Sequence, residues 1–431
     1  MRTVIMAGGK GTRVTSIKSD IPKPMINICG KPILEYQIDC LKRNGLTEIC
    51  IVVGHLGQII KEYFGDGRSF GCEISYFTET APLGTAGALY KIQTLWGDYA
   101  QDFILINGDI IFDIDFNRMI AFHKDHRAMA SLAVHPNNHP FDSSLIEYNN
   151  DNIITSWKNK EDKRLYYKNI VNAGIHILSP ELLKACPQEK EKMDLDRDIL
   201  KKMIKSNLIF AYQTPEYIKD MGTPERFTQV SMAIEKGIVK NKNLSIKQKC
   251  IFLDRDGTIN EFNDFISTPK DFFLINGAAE AIKNINNSGF LAIIITNQPV
   301  IARGELDFET LDLIHKKMET DLGKQGAYID DLYYCPHHPE KGFLRERPEY
   351  KIDCDCRKPK PGMIINAAKK YNIDLSHSYM VGDNMRDVHA GIAAGCIPIL
   401  LNKKSNNTNI IENGIIIRQL PSLLEFSNIY I

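Results

Sequence analysis

Short aliphatic and β-branched runs alternate with helix-like segments along most of the sequence, and this alternation is interrupted once. The strand-like run TVIMA is followed by the helical segment PILEYQIDCLKRNG and then by a second strand-like run, EICIVVG. After the lysine-rich polar segment KGIVKNKNLSIKQK, the alternation restarts with CIFLD, AAEAIKNINNSG and FLAIIITN. Since strands that alternate with helices form mainly parallel sheets covered by helices, the sequence predicts two α/β domains.

The polar segment also sets the predicted domain boundaries. A chain of 431 residues is too long for one ordinary core, which again favours two domains. We place the first domain at residues 1–236, a linker at 237–248 and the second domain at 249–431. Neither half has a fixed-period repeat, so the two domains are predicted to be different rather than duplicated.

Composition limits the kinds of partner and the location. The 53 basic residues balance the 53 acidic ones, so the chain lacks the net positive charge typical of proteins that bind nucleic acid or anionic membranes. No apolar run reaches the roughly 18 residues that span a bilayer, and none of signal-peptide length precedes the first glycines. We therefore expect a cytoplasmic protein with reduced cysteines and small-molecule substrates. A homo-oligomer is left open.

The segment LDRDGT places two carboxylates directly after an apolar strand. Asp254 and Asp256 lie where α/β sheets hold their ligands, and a spacing of two in extended backbone directs both to one side. One carboxylate can attack phosphorus, while the other protonates the leaving oxygen and later activates water. The alternative is an ordinary strand-to-turn boundary, where Asp and Gly are common.

Three later segments add the other groups that phosphoryl transfer needs. IIITNQ ends in Thr296 and Asn297, which are expected to donate to the phosphoryl group. CRKPKPG supplies Lys358 as a cation, and MVGDNMRD supplies Asp383. A divalent cation shared by Asp254 and Asp383 would offset the repulsion between carboxylates and phosphate.

These four segments, in this order, resemble the haloacid dehalogenase superfamily of phosphatases over the whole second domain. The resemblance implies a parallel sheet, with Asp254 as nucleophile and Asp256 as acid and base. It also implies Mg²⁺ as cofactor, held by Asp254, Asp256 and Asp383.

A second metal site is predicted from YYCPHHPE and DCDCRKP. They form a C-x-H…C-x-C set made of Cys335, His337, Cys354 and Cys356. Three thiolates and one imidazole make a closed tetrahedral site typical of structural zinc, although the cysteines could instead pack as small hydrophobic residues. His338 competes with His337, and the spacing favours His337. The metal would fix the loop that carries Arg357 and Lys358.

The zinc loop resembles those of D,D-heptose 1,7-bisphosphate phosphatases and histidinol-phosphate phosphatases. Its length, with CDCRKPKPGM and TNQPVIARG, favours the heptose branch. The resemblance implies that Arg303 and Arg357 hold the substrate, whereas the alternative makes them ordinary surface cations. Pro299 and Val300 stand where that family usually has Ser-Gly, which puts details of substrate contact in doubt.

A glycine-rich loop, MAGGKGTR, follows the first strand-like run. Glycine at positions 8, 9 and 11 lets backbone N–H groups approach phosphates, but the loop is neither a P-loop nor G-x-G-x-x-G. Downstream, Lys23 lies between two prolines that stiffen the backbone and present the cation at a fixed place. The alternative is a turn with a solvated lysine.

Together with PLGTAGAL, LINGDIIF, IVNAGIHIL and YIKDMGTPERF, this loop and P-K-P resemble sugar-1-phosphate nucleotidyltransferases over residues 1–235. The resemblance implies a Rossmann-like mixed sheet, Arg13 and Lys23 as catalytic cations, and Asp109 and Asp220 as Mg²⁺ ligands. The substrate contacts that it implies are Gly8, Gly9, Gly11, Thr12, Gly84, Thr85, Lys160 and Asn172.

The compact GTRVTSIKSDIPKPM most resembles the branch that makes GDP-D-glycero-α-D-manno-heptose. One departure is Asn159, which stands where the family has a glutamate before Lys160. The expected function is removal of the 7-phosphate of a heptose 1,7-bisphosphate, followed by nucleotidyl transfer to the remaining 1-phosphate with release of pyrophosphate.

Two alternatives remain at this point. In the first, the chain combines another sugar-1-phosphate nucleotidyltransferase, for example one specific for mannose 1-phosphate, with a histidinol-phosphate or other sugar-phosphate phosphatase. In the second, the first half is a nucleotide-sugar sensor that regulates the phosphatase.

Overall fold

The computed structural model describes residues 1–9, 21–97, 101–262, 266–405 and 408–431. It confirms the α/β class and divides into two compact units. The first unit comprises Met1–His135, Ile146–Lys158 and Asn172–Asn243, and the second comprises Pro136–Leu145, Asn159–Val171 and Leu244–Ile431.

The N-terminal half contains thirteen strands and eight α-helices within the residues just defined. The strands are β1 (Thr3–Met6), β2 (Asn27–Ile28), β3 (Lys31–Pro32), β4 (Glu48–Val53), β5 (Glu73–Thr78), β6 (Phe103–Asn107), β7 (Ile110–Asp113), β8 (Ala130–His135), β9 (Leu145–Tyr148), β10 (Ile154–Lys158), β11 (Val171–Leu178), β12 (Ile209–Gln213) and β13 (Tyr217–Asp220). The helices are α1 (Ile33–Arg43), α2 (Gly57–Phe64), α3 (Gly84–Trp96), α4 (Phe116–Asp125), α5 (Pro180–Ala185), α6 (Lys201–Met203), α7 (Pro224–Glu235) and α8 (Ile238–Asn241).

The main sheet of this half is mixed, as the resemblance implied. Its order is β10-β9-β11-β6-β1-β4-β5, and β8 joins β11 to β12. Strand β1 runs parallel to β4 and β6, whereas β11 runs antiparallel to β6. A separate two-stranded sheet pairs β7 with β13 in antiparallel register.

The central strands are apolar throughout because both faces of the sheet are covered. Ile5, Ile51 and Ile106 are fully buried in one cluster, and helix α1 adds Leu34 and Ile38 to it. Burial of each such side chain contributes about 1.5–3 kcal/mol, so these strands form a firm base for the loops at their carboxyl ends.

The second half is built on a sheet of seven strands with the order β16-β15-β14-β17-β18-β20-β19. The strands are β14 (Cys250–Leu253), β15 (Leu291–Asn297), β16 (Asp331–Cys335), β17 (Tyr379–Gly382), β18 (Ile397–Leu401), β19 (Asn409–Glu412) and β20 (Ile415–Leu420). The helices are α9 (Ala278–Ser288), α10 (Phe308–Lys324), α11 (Gly362–Tyr371), α12 (Met385–Ala394) and α13 (Leu423–Tyr430). Only the β19–β20 pair is antiparallel among these described strands.

Two segments of the N-terminal half, 136–145 and 159–171, pack within the second unit. The backbone N–H of Tyr167 donates to Thr320 Oγ1 at 3.0 Å, and that of Asn169 donates to Glu319 Oε2 at 2.6 Å. Burial raises the pKa of Glu319 to about 7. No feature of the sequence predicted this packing against α10.

The predicted domain limits stay a prediction, and the short helix α8 lies inside the segment predicted as a linker. Among the helices of the described ranges, none combines the length and apolar character that a bilayer span requires.

Candidate active sites

Three carboxylates meet at the carboxyl edge of the second unit's sheet. Asp254 follows β14, and its backbone N–H donates to Val381 O of the neighbouring strand at 2.9 Å. Asp383 follows β17, and Asp387 lies in the first turn of α12. One carboxylate oxygen from each lies within 4.8 Å of the others. Oxygen donors at this spacing fit a hard divalent cation such as Mg²⁺.

Lys358 is the buried cation of this site. Its ammonium lies 2.8 Å from Asp254 Oδ1 and 2.6 Å from Asp387 Oδ1, and it donates to Ile295 O at 2.7 Å. The side chain is only 1% exposed. Burial alone would lower the pKa of Lys358, but the two carboxylates raise it, so the amine stays charged.

The carboxylates oppose one another's ionisation. Burial, followed by the charge of Asp387, raises the pKa of Asp254 although Lys358 acts in the other direction. Burial and Asp254 likewise raise the pKa of Asp383 to about 6. A divalent cation that binds here is therefore stabilised by the negative charge of these carboxylates, which Lys358 neutralises only in part.

Asp256 has different surroundings from Asp254. Arg255 makes a bidentate contact with its carboxylate at 2.8 and 2.9 Å from one nitrogen, and Asn260 and Gln298 donate to it at 3.0 and 2.9 Å. Burial would raise the pKa of Asp256, but Arg255 and these two amides lower it. The predicted acid-base carboxylate is thus held in one orientation, outside the group of three.

Gly257 allows the turn that separates the two aspartates from the rest of the loop. Its φ is +79°, and a Cβ atom there would overlap the Asp383 carboxylate. Only glycine combines this left-handed backbone with such a close approach.

The two predicted phosphoryl donors at the end of β15 are held in different ways. The Asn297 amide accepts from Lys358 N and donates to Lys358 O, both at 3.0 Å, so it clamps the backbone of this lysine. Thr296 Oγ1 accepts a hydrogen bond from Gln298 Nε2 at 3.0 Å. The role of both residues in binding the phosphoryl group stays a prediction.

The predicted cysteine cluster is assembled. Ligand atoms of Cys335, His337, Cys354 and Cys356 all lie within 4.8 Å of one another. The three Sγ–Sγ separations are 3.5, 3.2 and 3.2 Å, and His337 Nδ1 lies 3.3 Å from Cys356 Sγ. Thiolates around one zinc ion would lie about 3.8 Å apart, so a small expansion accommodates the metal. The donor set and spacing therefore fit a tetrahedral metal site.

This cluster is coupled to the cationic loop. Arg357 Nη1 donates to His337 O at 3.0 Å, and Lys358 is the next residue. His338 is placed elsewhere, with its ring edge-on to Phe343 at 5.6 Å between centroids. Arg303 lies over the same aromatic ring, 4.9 Å from its centroid.

Part of the N-terminal glycine loop is described. Gly8 lies against the Glu79 carboxylate, since a Cβ at Gly8 would be 2.5 Å from Glu79 Oε2, and Gly9 is exposed. The predicted contacts Gly11 and Thr12 and the predicted cation Arg13 lie outside the described residues.

In the N-terminal half, Lys23 lies beside Asp109, and the backbone of Asp109 lies beside the end of the strand that carries Asp220. Lys23 Nζ lies 3.7 Å from Asp109 Oδ2. Asp220 ends β13 opposite Ile110, and the N–H of Met221 donates to Asp109 O at 3.0 Å. The carboxylate of Asp220 accepts from Arg226 Nη1 at 2.6 Å. Asp109 directly precedes β7 and Asp220 ends its partner strand β13, and carboxylate oxygens are the donors that Mg²⁺ prefers.

The predicted sugar and nucleoside contacts lie around a turn of π-helix, Leu195–Leu200. Gly84 has a φ of +72°, and a Cβ there would overlap Met193 O. Thr85 Oγ1 accepts from Leu195 N at 2.8 Å, and Asn172 Nδ2 donates to Asp196 Oδ2 at 3.3 Å.

Lys160 and its neighbour Asn159 lie in a separate segment of the chain. Lys160 is exposed, with its ammonium 3.8 Å from Glu161 Oε1. The backbone N–H of Asn159 donates to Asp162 Oδ2 at 2.6 Å. The contacts of this segment give no direct support to the predicted sugar contact of Lys160.

Sequence reasoning gave no roles to several residues of these sites. Those residues are Arg255, Asn260, Gln298, Asp387 and Asp196. Of these, only Asp387 could have been found from the sequence, because the spacing in G-D-N-M-R-D places it one helical turn after Asp383.

Comparisons with known proteins match both halves. The nucleotidyl transferase family model matches residues 2–237, and the HAD-hydrolase-like model matches residues 355–413. The D-glycero-beta-D-manno-heptose-1,7-bisphosphate 7-phosphatase of Pasteurella multocida (strain Pm70) is 40% identical over 168 residues, which are 39% of this chain and 83% of that protein. The protein of the same name from Escherichia coli (strain K12) is 39% identical over 144 residues, which are 33% of this chain and 73% of that protein. Among solved structures, HddC from Yersinia pseudotuberculosis complexed with GMP-PN is 26% identical and has a TM-score of 0.47, covering 54% of this chain and 99% of that one.

Proposed function

Because the chain belongs to the nucleotidyl transferase family through residues 2–237 and to the HAD-like hydrolases through its C-terminal half, we propose that it performs two consecutive steps on one heptose phosphate. It is a nucleotidyltransferase and a phosphomonoester hydrolase. The second half removes the 7-phosphate of D-glycero-D-manno-heptose 1,7-bisphosphate. The first half then transfers a nucleotidyl group, GMP from GTP, to the remaining heptose 1-phosphate and releases pyrophosphate.

The observation that carries the phosphatase step is the placement of Asp254 beside Lys358. An Asp254 oxygen attacks phosphorus while the phosphorus–oxygen bond to the sugar breaks, which leaves an aspartyl-phosphate. Lys358 keeps the nucleophile oriented and neutralises charge on the transferring group. Arg255 and Gln298 hold Asp256 as a carboxylate, so it first takes up a proton from solvent. It gives this proton to the leaving sugar oxygen and later takes one from the attacking water.

The three-carboxylate group would hold Mg²⁺, which supplies positive charge against the repulsion between phosphate and carboxylates. The cysteine cluster would hold a structural Zn²⁺. Its role is to keep the backbone of Arg357 and Lys358 in place, and the hydrogen bond from Arg357 to His337 O supports this. Arg357 and Arg303 then bind the distal part of the bisphosphate.

In the transferase step the sugar supplies the nucleophile. An oxygen of the 1-phosphate attacks the α-phosphorus of GTP, and the bond to pyrophosphate breaks. Lys23 binds and neutralises the phosphates, with Arg13 as a second cation. Asp109 and Asp220 would hold Mg²⁺, which offsets the charge of the triphosphate. No protein nucleophile is needed, so catalysis rests on position and charge.

The two steps are ordered by chemistry. Removal of the 7-phosphate leaves the 1-phosphate untouched, and that group is the nucleophile of the transfer. The similarity to heptose bisphosphatases over 83% of the Pasteurella protein supports the choice of sugar, whereas guanine rests on the resemblance of the first half's motifs.

Two matched variants test the proposal. Protein supplied with heptose 1,7-bisphosphate, GTP and Mg²⁺ should release phosphate and then pyrophosphate. Asp254→Asn should stop phosphate release yet still transfer to supplied heptose 1-phosphate, whereas Asp109→Ala should do the reverse. Loss of both activities in either variant would contradict two separate sites.

Competing substrates test the alternatives in the same assay. The protein is given all four nucleoside triphosphates, with mannose 1-phosphate and histidinol phosphate present beside the heptose phosphates. Mass spectrometry of the products should show GDP-heptose in excess. A dominant GDP-mannose or histidinol product would replace the heptose assignment.

A further inference from the structure

Asp196 is a carboxylate with no assigned role. It lies on the π-helical turn Leu195–Leu200 and contacts one face of β11. Residues two apart on a strand share a face, and in β11 this face carries Asn172, Gly174 and His176. Asn172 Nδ2 donates to Asp196 Oδ2 at 3.3 Å, and His176 Nε2 lies 3.9 Å from Asp196 Oδ1. The opposite face, with Ala173 and the isoleucines, belongs to the core.

The backbone that carries Asp196 is fixed to the loop PLGTAG. Met193 N donates to Leu83 O at 2.9 Å, and Met193 O accepts from Ala86 N at 3.0 Å. Leu195 N donates to Thr85 Oγ1 at 2.8 Å. These contacts hold the carboxylate at a set distance from a loop already expected to bind substrate.

Strand β11 is also connected to the strand that leads to the predicted metal ligand Asp109. Strand β11 pairs with β6, whose last residue Asn107 is two positions before Asp109. Gly174 lacks a side chain where Asn107 Nδ2 approaches, so the polar face stays open toward the end of β6. The face of β11 that Asp196 contacts therefore continues to Asn107, two residues before the predicted metal ligand Asp109.

The surroundings of Asp196 leave it short of hydrogen-bond donors. Its side chain is 44% exposed, yet burial by the surrounding protein, followed by the charge of Asp194, raises its pKa to about 7. The Asn172 contact is long for a hydrogen bond to a carboxylate. Because the side chain is 44% exposed, a ligand can reach the carboxylate and donate hydrogen bonds to it in addition to the long contact from Asn172.

His176 points to the same ligand chemistry. The residue is 3% exposed, and within the described ranges neither of its ring nitrogens has a hydrogen-bond partner. Burial lowers its pKa to about 4, so the ring is neutral near pH 7 and offers one donor and one acceptor. A ligand hydroxyl can therefore donate to the exposed Asp196 carboxylate, and the buried, neutral His176 ring lies 3.9 Å from that carboxylate as its protein neighbour.

A purely structural role explains less of this arrangement. A carboxylate that stabilises the fold would be expected to have short contacts to cations or to backbone N–H groups. Asp198, on the same turn, has them: it accepts from Asp194 N at 2.8 Å, and this contact lowers its pKa to about 2. Within the part of the chain that the structure describes, the Asp196 carboxylate has the contacts to Asn172 and His176 given above and no such short one.

We propose that Asp196 determines sugar specificity in the transferase half by accepting hydrogen bonds from hydroxyl groups of the sugar 1-phosphate, with His176 as its partner. The inference rests on the proposed transferase function. Asp196 binds the part of the sugar that does not react, so it is a specificity residue and takes no proton in the reaction.

The test compares Asp196→Asn with wild type and with Glu189→Gln, an exposed carboxylate on the preceding loop that serves as control. Initial rates are measured with heptose 1-phosphate and GTP, each varied in turn. Loss of a charged hydrogen bond should raise the KM for the sugar 1-phosphate about 10- to 100-fold, with the KM for GTP unchanged. Glu189→Gln should leave both constants at the wild-type values.

Deoxy analogues of the sugar 1-phosphate separate recognition from a general structural effect. An analogue that lacks a hydroxyl contacted by Asp196 should lose affinity for wild type but much less for Asp196→Asn, because the two changes remove the same contact. His176→Phe should show the same loss of discrimination. Thermal melting confirms that the variants are folded.

The outcomes distinguish failure of the proposed transferase function from failure of the role given to Asp196. If wild type transfers nucleotide to no sugar 1-phosphate, the proposed function fails and this inference with it. If wild type is active but Asp196→Asn keeps its KM, raises both KM values equally, or loses equally on every deoxy analogue, only the role of Asp196 is refuted.

Discussion

Replacing Lys358 by methionine should destabilise the second unit far more than loss of an ordinary lysine. The ammonium has three partners within 2.8 Å, namely Asp254, Asp387 and Ile295 O, and its side chain is 1% exposed. Methionine fills much of the volume but leaves Asp387, which is fully buried, without its cation. Removing one partner of a buried ion pair costs about 3–5 kcal/mol.

This cost can be read locally by hydrogen exchange. Amides of β14 and β15 are buried in the sheet below Lys358, so their protection reports the free energy of opening of that region. A loss of 3–5 kcal/mol corresponds to a fall in protection of about two to four powers of ten. Peptides from residues 250–253 and 291–297 are compared in wild type and Lys358→Met by mass spectrometry.

Lys360 provides a matched control on the same loop. Its ammonium pairs with Asp353 at 2.7 Å, but its side chain is 42% exposed. Lys360→Met should change the protection little, because an exposed ion pair contributes little to stability. Addition of Mg²⁺ should restore part of the protection in Lys358→Met only, because the ion neutralises Asp254 and its neighbours. Protection within tenfold of wild type, or equal losses in the two variants, would refute the electrostatic account.

Three further changes have defined outcomes. His337→Gln should reduce bound zinc well below one ion per chain after treatment with a mild chelator, whereas His338→Gln should retain it, as measured by plasma mass spectrometry. The melting temperature of wild type should fall between about pH 4.5 and 7, because in this range the unfolded chain loses the Glu319 proton while the folded protein, with its raised pKa, keeps it. This difference lowers the free energy of unfolding by at most about 3 kcal/mol. Glu319→Gln should remove the fall. Gly84→Ala should destabilise the first unit by about 1–3 kcal/mol, because its φ is +72° and a Cβ would overlap Met193 O. Urea unfolding followed by tryptophan fluorescence measures this loss, since both tryptophans lie in the first unit, and an unchanged midpoint would contradict it.

The sequence predicted the groups whose spacing is local. Asp254 and Asp383 each end an apolar run, and because parallel strands end at one edge, the fold brings them together. The four residues of the cysteine cluster were predicted from two short motifs of three residues, and they too lie together. Such predictions succeed because strand ends and tight loops place side chains with little dependence on the rest of the chain.

Contacts set by tertiary packing were not predicted. The clamp of Asn297 on Lys358 joins the end of β15 to a distant loop, and the turn that carries Asp196 is brought to Asn172 by tertiary packing. Nothing in the residues themselves indicates these pairs. The same holds for the packing of Tyr167 against Thr320, which joins positions 153 residues apart.

That packing makes the order of residues along the chain a poor guide to how the protein can be cut. A polypeptide that began at Leu244 would lack 136–145 and 159–171, and the face of α10 around Thr320 and Gly323 would meet water instead of Tyr167 and Pro140. Dividing the chain at the apparent junction would thus leave the phosphatase unit without two segments that belong to its own packing.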